Sequence, residues 1–350
     1  MAMPFVAIGR EEPPAGSREV EAEIVEIIDD AYQDGIRSIE FYADGEDGQR
    51  YRVNTLNSFT EGMQFNLEPG DRVILSPAYL ADVVRTGALV WIALFFAIIT
   101  IAVGLRRGVF ALVGFAATIG ILFWFVFPRI LGGADPVFTT AAAAILILAI
   151  NLSLSHGLTR NTAVAFGGTA FGVVLAWVLS AAFVAFAKLS GLSSEEATFL
   201  YWQFGGLASP AGLLLAGIIL GAVGVLDDIA ITQCETVAEL KAANPRFTRR
   251  ELFVRAMRVG RHHIASTVNT LVLAYVGSAL PLFLIFLADH NVSLWRFLNT
   301  EAVAEEVVRT LAGTSALVLT VPLTTFLAAM VWSNAKARDV HEFRDGEHKA

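Results

Sequence analysis

The sequence predicts an α-helical polytopic membrane protein with about seven transmembrane helices and a small N-terminal extracytoplasmic all-β domain. The composition is unusually apolar, with 55% hydrophobic and 17% charged residues and a mean hydropathy of +0.60, whereas soluble domains are about one quarter charged. Long apolar segments recur from residue 86 onward. The residues before them instead alternate in hydrophobicity with the two-residue period of β-strands.

The N-terminal domain, residues 1–80, is predicted to contain a small β-barrel or sandwich of about 60 residues. Hydrophobic residues alternate through 18–28, 36–43 and 49–56, and a further short run covers 72–76. Two Asp-Gly pairs lie between the second and third runs, where such dipeptides favour a hairpin turn. Nothing in this domain is typical of a catalytic site. We interpret it as a rigid module, and partner or ligand sensing is the alternative.

The apolar segments that follow are each long enough to cross a bilayer, which takes about 20 residues in a helix. Several are rich in Gly and Ala, as packed membrane helices are. The predicted spans are residues 86–104, 108–127, 136–155, 162–187, 210–231, 264–288 and 310–332. They define a transmembrane helical domain at 81–335, which is followed by a cytoplasmic polar tail at 336–350.

The charges of the loops predict the orientation. Every second loop is basic, most strongly at 235–261, where seven Lys or Arg stand against three Glu, and the intervening loops are mainly acidic. The positive-inside rule therefore predicts a multi-pass protein of the plasma (inner) membrane with its C-terminus in the cytoplasm and its β-domain outside. Residues 1–10 lack the pattern of an export signal. We expect either a reverse anchor at the first helix or, as the favoured interpretation, an additional preceding helix.

Composition also excludes several functional classes. The net charge of −8 argues against nucleic-acid binding. The single cysteine, Cys234, rules out an internal disulfide or a cysteine metal cluster. Adjacent residues of a helix point about 100° apart, so His262 and His263 cannot share one metal ion. No nucleophile–base pair, phosphate loop or metal-ligand spacing is present. The sequence therefore predicts neither an enzyme nor a bound metal or cofactor.

Carboxylates at the end of the fifth predicted helix are the main candidate functional residues. The helix begins at a Ser-Pro pair, continues through a series of glycines and reaches Asp227 and Asp228. In a continuous helix Asp228, Thr232, Glu235 and Glu239 share one face, whereas Asp227 points about 100° away. Two interpretations stay open: a solvated helix end, or a carboxylate that binds a proton or cation during transport.

The sixth predicted helix supplies candidate partners for Asp228. Ser266, Asn269 and Thr270 share a helical face at the same predicted side of the membrane. Hydroxyl and amide groups hydrogen-bond carboxylates, although ordinary helix–helix hydrogen bonding is the alternative role. In the seventh predicted helix, Pro322 lies among threonines and predicts a kink.

Several motifs resemble those of the YibE/F-like family of multi-pass membrane proteins. They are Gly221-Ala-Val-Gly-Val-Leu-Asp-Asp-Ile-Ala230, Glu239-Leu-Lys-Ala-Ala-Asn-Pro245, Ser266-Thr-Val-Asn-Thr-Leu-Val-Leu-Ala-Tyr-Val-Gly277, Glu305-Glu-Val-Val-Arg309 and Val321-Pro-Leu-Thr324. The resemblance covers about residues 80–335. It implies an extracytoplasmic N-terminal domain and a membrane part described as a permease without an established substrate. The family aspartate falls on Asp228, and Asp227 stands where many members carry an apolar residue.

A weaker resemblance covers about residues 208–332, which are similar to the end of an RND or SecD/SecF half. In those proteins the corresponding aspartate carries the driving proton. This likeness implies proton coupling at Asp228.

The sequence therefore predicts a secondary transporter or a proton-coupled export component with Asp228 as coupling carboxylate. Asp227, Glu235, Glu305, Glu306 and Arg309 are further candidate site residues. The expected partners are the lipid bilayer, an unknown small solute or ion, and an envelope protein or a second copy of the chain. The alternative function is a non-transporting membrane module whose outer β-domain binds an envelope partner or ligand.

Overall fold

A computed structural model of the protein describes residues 19–33, 36–55, 66–76, 79–203, 209–288 and 292–334. The chain divides after Ile99 into two compact units. The predicted tail at 336–350 and the segment 1–10 considered for an export signal lie outside the described residues.

The first unit contains an antiparallel sheet that has five strands in the described residues. They are β1 Val20–Gln33, β2 Ile36–Gly45, β3 Arg50–Asn54, β4 Arg72–Ser76 and β5 Tyr79–Val83. The strand order is β3-β2-β1-β4-β5. The edge strands β3 and β5 also contact each other, so the sheet curls towards a barrel. The described strands thus form one antiparallel sheet, and the predicted choice between a barrel and a sandwich stays open.

The hairpin between β2 and β3 forms where the Asp-Gly pairs predict it. The Gly45 N–H donates to the Gln49 carbonyl at 2.8 Å, and Gly48 has a φ of 78°, which glycine adopts without steric cost. Alternate residues of the strands point inward, and Phe41 and Leu75 are fully buried. The two-residue hydrophobic period thus produces the core of this unit.

The helices follow the sheet and make up the rest of the described chain. They are α1 Thr86–Ile121, a π-helical turn Leu122–Val126, α2 Phe127–Leu131, α3 Pro136–His156, α4 Arg160–Phe186, α5 Glu195–Gln203, α6 Pro210–Ala243, α7 Arg249–Ser278, α8 Leu280–Ala288, α9 Leu294–Leu298 and α10 Glu301–Ser333. Within the described residues five helical stretches are long and apolar enough to cross a membrane, or six if the bent pair α7 and α8 is one span. These apolar helices indicate a membrane protein, and the count of seven stays a prediction.

A break divides α1 at the place where the sequence predicts two separate spans. Leu105 has a φ of 49° and a ψ of −129°, so the helix is interrupted there. The following turn packs so tightly that a Cβ atom at Gly108 would lie 2.1 Å from the Thr100 carbonyl oxygen. Glycine is therefore required at this position.

The second unit is built around α6, which packs against α3, α4, α7 and α10. Leu226 and Ile229 of α6 and Leu317 of α10 are almost completely buried in this bundle. Several boundaries differ from the predicted spans, and α10 begins at Glu301 instead of residue 310. α6 continues to Ala243, and the predicted span 264–288 is divided between α7 and α8, whose axes differ by 63°.

Candidate functional site

One face of α6 carries a row of glycines that leads to a carboxylate. Gly217, Gly221, Gly224 and Asp228 are all exposed and recur at helical spacing. A Cβ atom placed at Gly217 or Gly224 would meet nothing within 4 Å. At Gly221, in contrast, a Cβ atom would lie 2.8 Å from the Tyr275 hydroxyl oxygen, so the face is open at Gly217 and Gly224 and covered between them.

Asp228 faces a histidine of α7. Its Oδ2 lies 3.7 Å from Nε2 of His263, and the two side chains are 67% and 30% exposed. The Asp228 N–H donates to Oδ1 of Asp227 at 2.8 Å. Asp227 is half-buried, so the two neighbouring carboxylates lie in different surroundings. Asp228 is the more exposed carboxylate of this pair.

A second carboxylate–histidine pair lies two turns further along α6. Oε1 of Glu235 is 3.5 Å from Nδ1 of His156, the last residue of α3. Histidine gains and loses a proton near neutral pH more readily than other side chains. Asp228 and Glu235 thus each lie within 4 Å of an imidazole nitrogen.

The predicted partners of Asp228 are the polar residues of α7, not His263. Ser266, Asn269 and Thr270 are exposed, and among the described residues no hydrogen bond joins them to Asp228. The Thr270 hydroxyl instead donates to the Ser266 carbonyl at 3.1 Å. α7 turns Ile264 towards the core, and the three polar residues lie on its other faces. Their role as partners of Asp228 stays a prediction, because spacing identifies a shared face of one helix but not what that face contacts.

Thr232 and Gln233 lie between the two carboxylate–histidine pairs. Thr232 is partly buried, and its carbonyl accepts a hydrogen bond from the Thr236 hydroxyl at 2.7 Å. Gln233 is 1% exposed, and its Oε1 accepts from the Thr325 hydroxyl of α10 at 2.9 Å. Sequence reasoning missed Gln233, although its apolar neighbours on the helix are a signal that it is buried.

The remaining predicted site residues lie in the first turns of α10. This part of α10 is at the end of the bundle where α6 begins. Glu306 Oε1 is 3.6 Å from Nη2 of Arg309. Glu305 is 6% exposed and interacts with both Arg309 and Ser193. Tyr275 of α7 interacts electrostatically with Arg309 and Glu306. Glu305, Glu306 and Arg309 therefore form a second polar cluster, separate from Asp228.

Residues 92–334 match the YibE/F-like protein family. The chain belongs to the YibE/F-like family. No curated protein and no solved structure matches it. The family match includes the helices that carry both polar sites of this YibE/F-like protein and excludes the β-sheet, which ends at Val83. Among the described residues, no three His, Cys, Asp or Glu side chains are grouped as they are around a metal ion.

Proposed function

We propose that this YibE/F-like protein is a secondary transporter or proton-coupled export component of the bacterial inner membrane, with Asp228 as the carboxylate that binds the coupling proton. The contact of Asp228 with His263 at 3.7 Å is the observation that supports this function best. Ionisable residues within membrane helices are costly and therefore tend to mark functional sites. An imidazole beside it can deliver or remove a proton near neutral pH.

The surroundings of Asp228 are consistent with alternate access. The glycine face of α6 lets a neighbouring helix or a solute approach the backbone closely. Glu235 and His156 continue the row of titratable groups beyond Asp228. A proton that reaches Asp228 therefore has a second pair of groups to which it can move.

We further propose that the β-sheet lies outside the membrane and that the basic N-terminal part of α7 lies in the cytoplasm. The dense Arg residues at 249–261 support this orientation through the positive-inside rule. The family match covers the membrane part and leaves out the sheet. This favours transport by the helices over a function carried by the outer domain.

Proton movement in sealed proteoliposomes tests the proposed function. The wild-type protein dissipates an imposed pH gradient, and Asp228→Asn slows this by about a hundredfold or more, as expected for loss of a group that transfers a proton. Glu239→Gln, an exposed carboxylate further along the same helix, is the matched control and retains the wild-type rate. A gradient that persists with the wild-type protein, or decays equally fast with Asp228→Asn at equal abundance, contradicts the proposal.

A further inference from the structure

The second polar cluster lies where α6, α7 and α10 meet, away from Asp228 and His263. A Cβ atom at Gly221 of α6 or at Gly313 of α10 would lie 2.8 Å or 3.8 Å from the Tyr275 hydroxyl oxygen, so this hydroxyl lies over both glycines. Arg309 lies beside it and interacts with Glu306 and with Glu305. The cluster consists of Tyr275, Glu305, Glu306 and Arg309.

Two buried atoms of this cluster have no hydrogen-bond partner. They are Oε1 of Glu305 and Nε of Arg309. When Glu305 is ionised, its Oε1 can only accept a hydrogen bond, whereas Nε of Arg309 can only donate one. Buried polar groups are normally satisfied, and leaving a charged one unpaired is costly. A ligand that satisfies both atoms must offer a donor and an acceptor a short distance apart.

The charges of the cluster narrow the chemistry of that ligand. Two glutamates and one arginine give a net charge of −1 when all are ionised, which disfavours a simple anion. Arg309 remains able to bind a carboxylate through its guanidinium group, and the glutamates are able to bind an ammonium group. A ligand with an ammonium and a carboxylate group close together therefore fits better than an ion of either sign.

The cluster is also well placed relative to the coupling carboxylate. Gly221, which lies under the Tyr275 hydroxyl, precedes Asp228 by seven residues on the same face of α6, a rise of about 10 Å. The open position at Gly224 lies between them. A solute held at the cluster would thus lie about two helical turns from the proton site along the same face of α6.

We propose that Tyr275, Glu305, Glu306 and Arg309 form the binding site for the transported solute, and that this solute is a small zwitterion of the amino-acid class. The carboxylate of the solute accepts from Arg309, and its ammonium group donates to Glu305. That the bound solute is transported rests on the proposed function, whereas binding of the zwitterion at the cluster does not.

Ligand-induced stabilisation of the purified full-length protein tests this inference. The thermal unfolding midpoint is measured with each of the common L-amino acids, and with acetate and methylammonium as the matched single-charge compounds. At least one amino acid raises the midpoint in a concentration-dependent manner, and the two single-charge compounds do not. If no amino acid stabilises the protein, or if acetate alone does so as well, the proposal is wrong.

Conservative variants show whether the cluster is the site. Arg309→Lys keeps the positive charge but removes the Nε donor, and Glu305→Gln keeps the shape but removes the charge. Each weakens amino-acid binding by at least about tenfold, whereas Glu196→Gln, an exposed carboxylate at the start of α5, leaves it unchanged. Unchanged binding in a folded Arg309→Lys protein overturns the assignment. Asp228→Asn is expected to retain amino-acid binding, because Asp228 is not part of the cluster. The binding assay therefore tests this site separately from proton coupling.

Discussion

At the scale of single residues, Gly168 determines how closely α4 and α10 can pack. A Cβ atom at Gly168 would lie 2.2 Å from the Thr324 hydroxyl oxygen and 3.0 Å from its Cβ. Thr324 is completely buried and cannot move aside into solvent. The neighbouring Gly167 is exposed, and a Cβ atom there would meet nothing within 4 Å. The two adjacent glycines thus have different roles in one helix.

The Gly168→Ala substitution is expected to destabilise the bundle by about 1–3 kcal/mol, since it overpacks a contact that has no free space. Gly167→Ala is the matched control and should be neutral or stabilising by up to about 1 kcal/mol, because alanine favours helix more than glycine does. Reversible unfolding in mixed micelles measures both values. Equal stability of the two variants would show that α4 and α10 do not approach each other at Gly168.

The sequence predicts which residues share a face of one helix. It does not predict which residues of a second helix contact that face. The shared face of Asp228 and Glu235 follows from helical spacing alone, and the structure has it. The partner of Asp228 does not follow from spacing, because the rotation of α7 decides between His263 and Ser266. That rotation is set by which residues of α7 are buried, such as Leu252 and Gly260.

At the scale of elements, the β2–β3 hairpin carries ion pairs on its exposed face. Arg50 Nε lies 2.7 Å from Oδ1 of Asp44, and Arg52 Nε lies 2.6 Å from Oε1 of Glu40. The hydrogen bond from Arg50 lowers the pKa of the Asp44 carboxyl below its ordinary value. Because this pair is solvent-exposed, its contribution to stability is small and decreases at high salt.

The lowered pKa of Asp44 predicts the direction of a pH effect. Its contribution to stability is fully present above the unfolded-state pKa of about 3.9 and is lost as the pH falls through the lower folded-state value. Amide hydrogen exchange of residues 40–54 in the intact protein, corrected for intrinsic rates, should therefore show less protection below about pH 4 than at pH 6. Asp44→Asn should weaken that dependence, and an identical pH dependence in the variant would contradict the role of this ion pair.

The ends of the helices are harder to predict from the sequence than their positions. Hydropathy identifies apolar segments but not where a helix ends in water, and α6 continues to Ala243 through polar residues that its hydrophobic pattern does not require. The helix stops only at Asn244, whose φ and ψ are extended. Conversely, the break in α1 at Leu105 coincides with a charged Arg pair that interrupts the apolar pattern, so it could be predicted.

At the scale of the whole molecule, the proposed orientation makes a prediction about chemical access. Glu68 is exposed beside the first residues of β4, and Arg250 is exposed in the first turn of α7. The single native cysteine, Cys234, is buried. Cysteine can therefore be introduced at either exposed position after Cys234→Ala.

Glu68→Cys is expected to react with a membrane-impermeant maleimide added outside intact cells, and Arg250→Cys only after permeabilisation, because the basic segment is proposed to be cytoplasmic. The Cys234→Ala protein without a new cysteine is the control and should remain unlabelled. Labelling of both positions from the same side would contradict the proposed orientation.

The coupling proton is proposed to move through Asp228, and the neighbouring Asp227 offers the sharpest comparison. Asp227 and Asp228 differ in burial, and only Asp228 lies opposite His263 in the structure. The decisive measurement is the rate of pH-gradient dissipation by proteoliposomes that contain equal amounts of Asp227→Asn or Asp228→Asn. Loss of proton movement in Asp228→Asn with most of it retained in Asp227→Asn is the predicted result. Equal rates in the two variants would contradict the assignment of the coupling proton to Asp228.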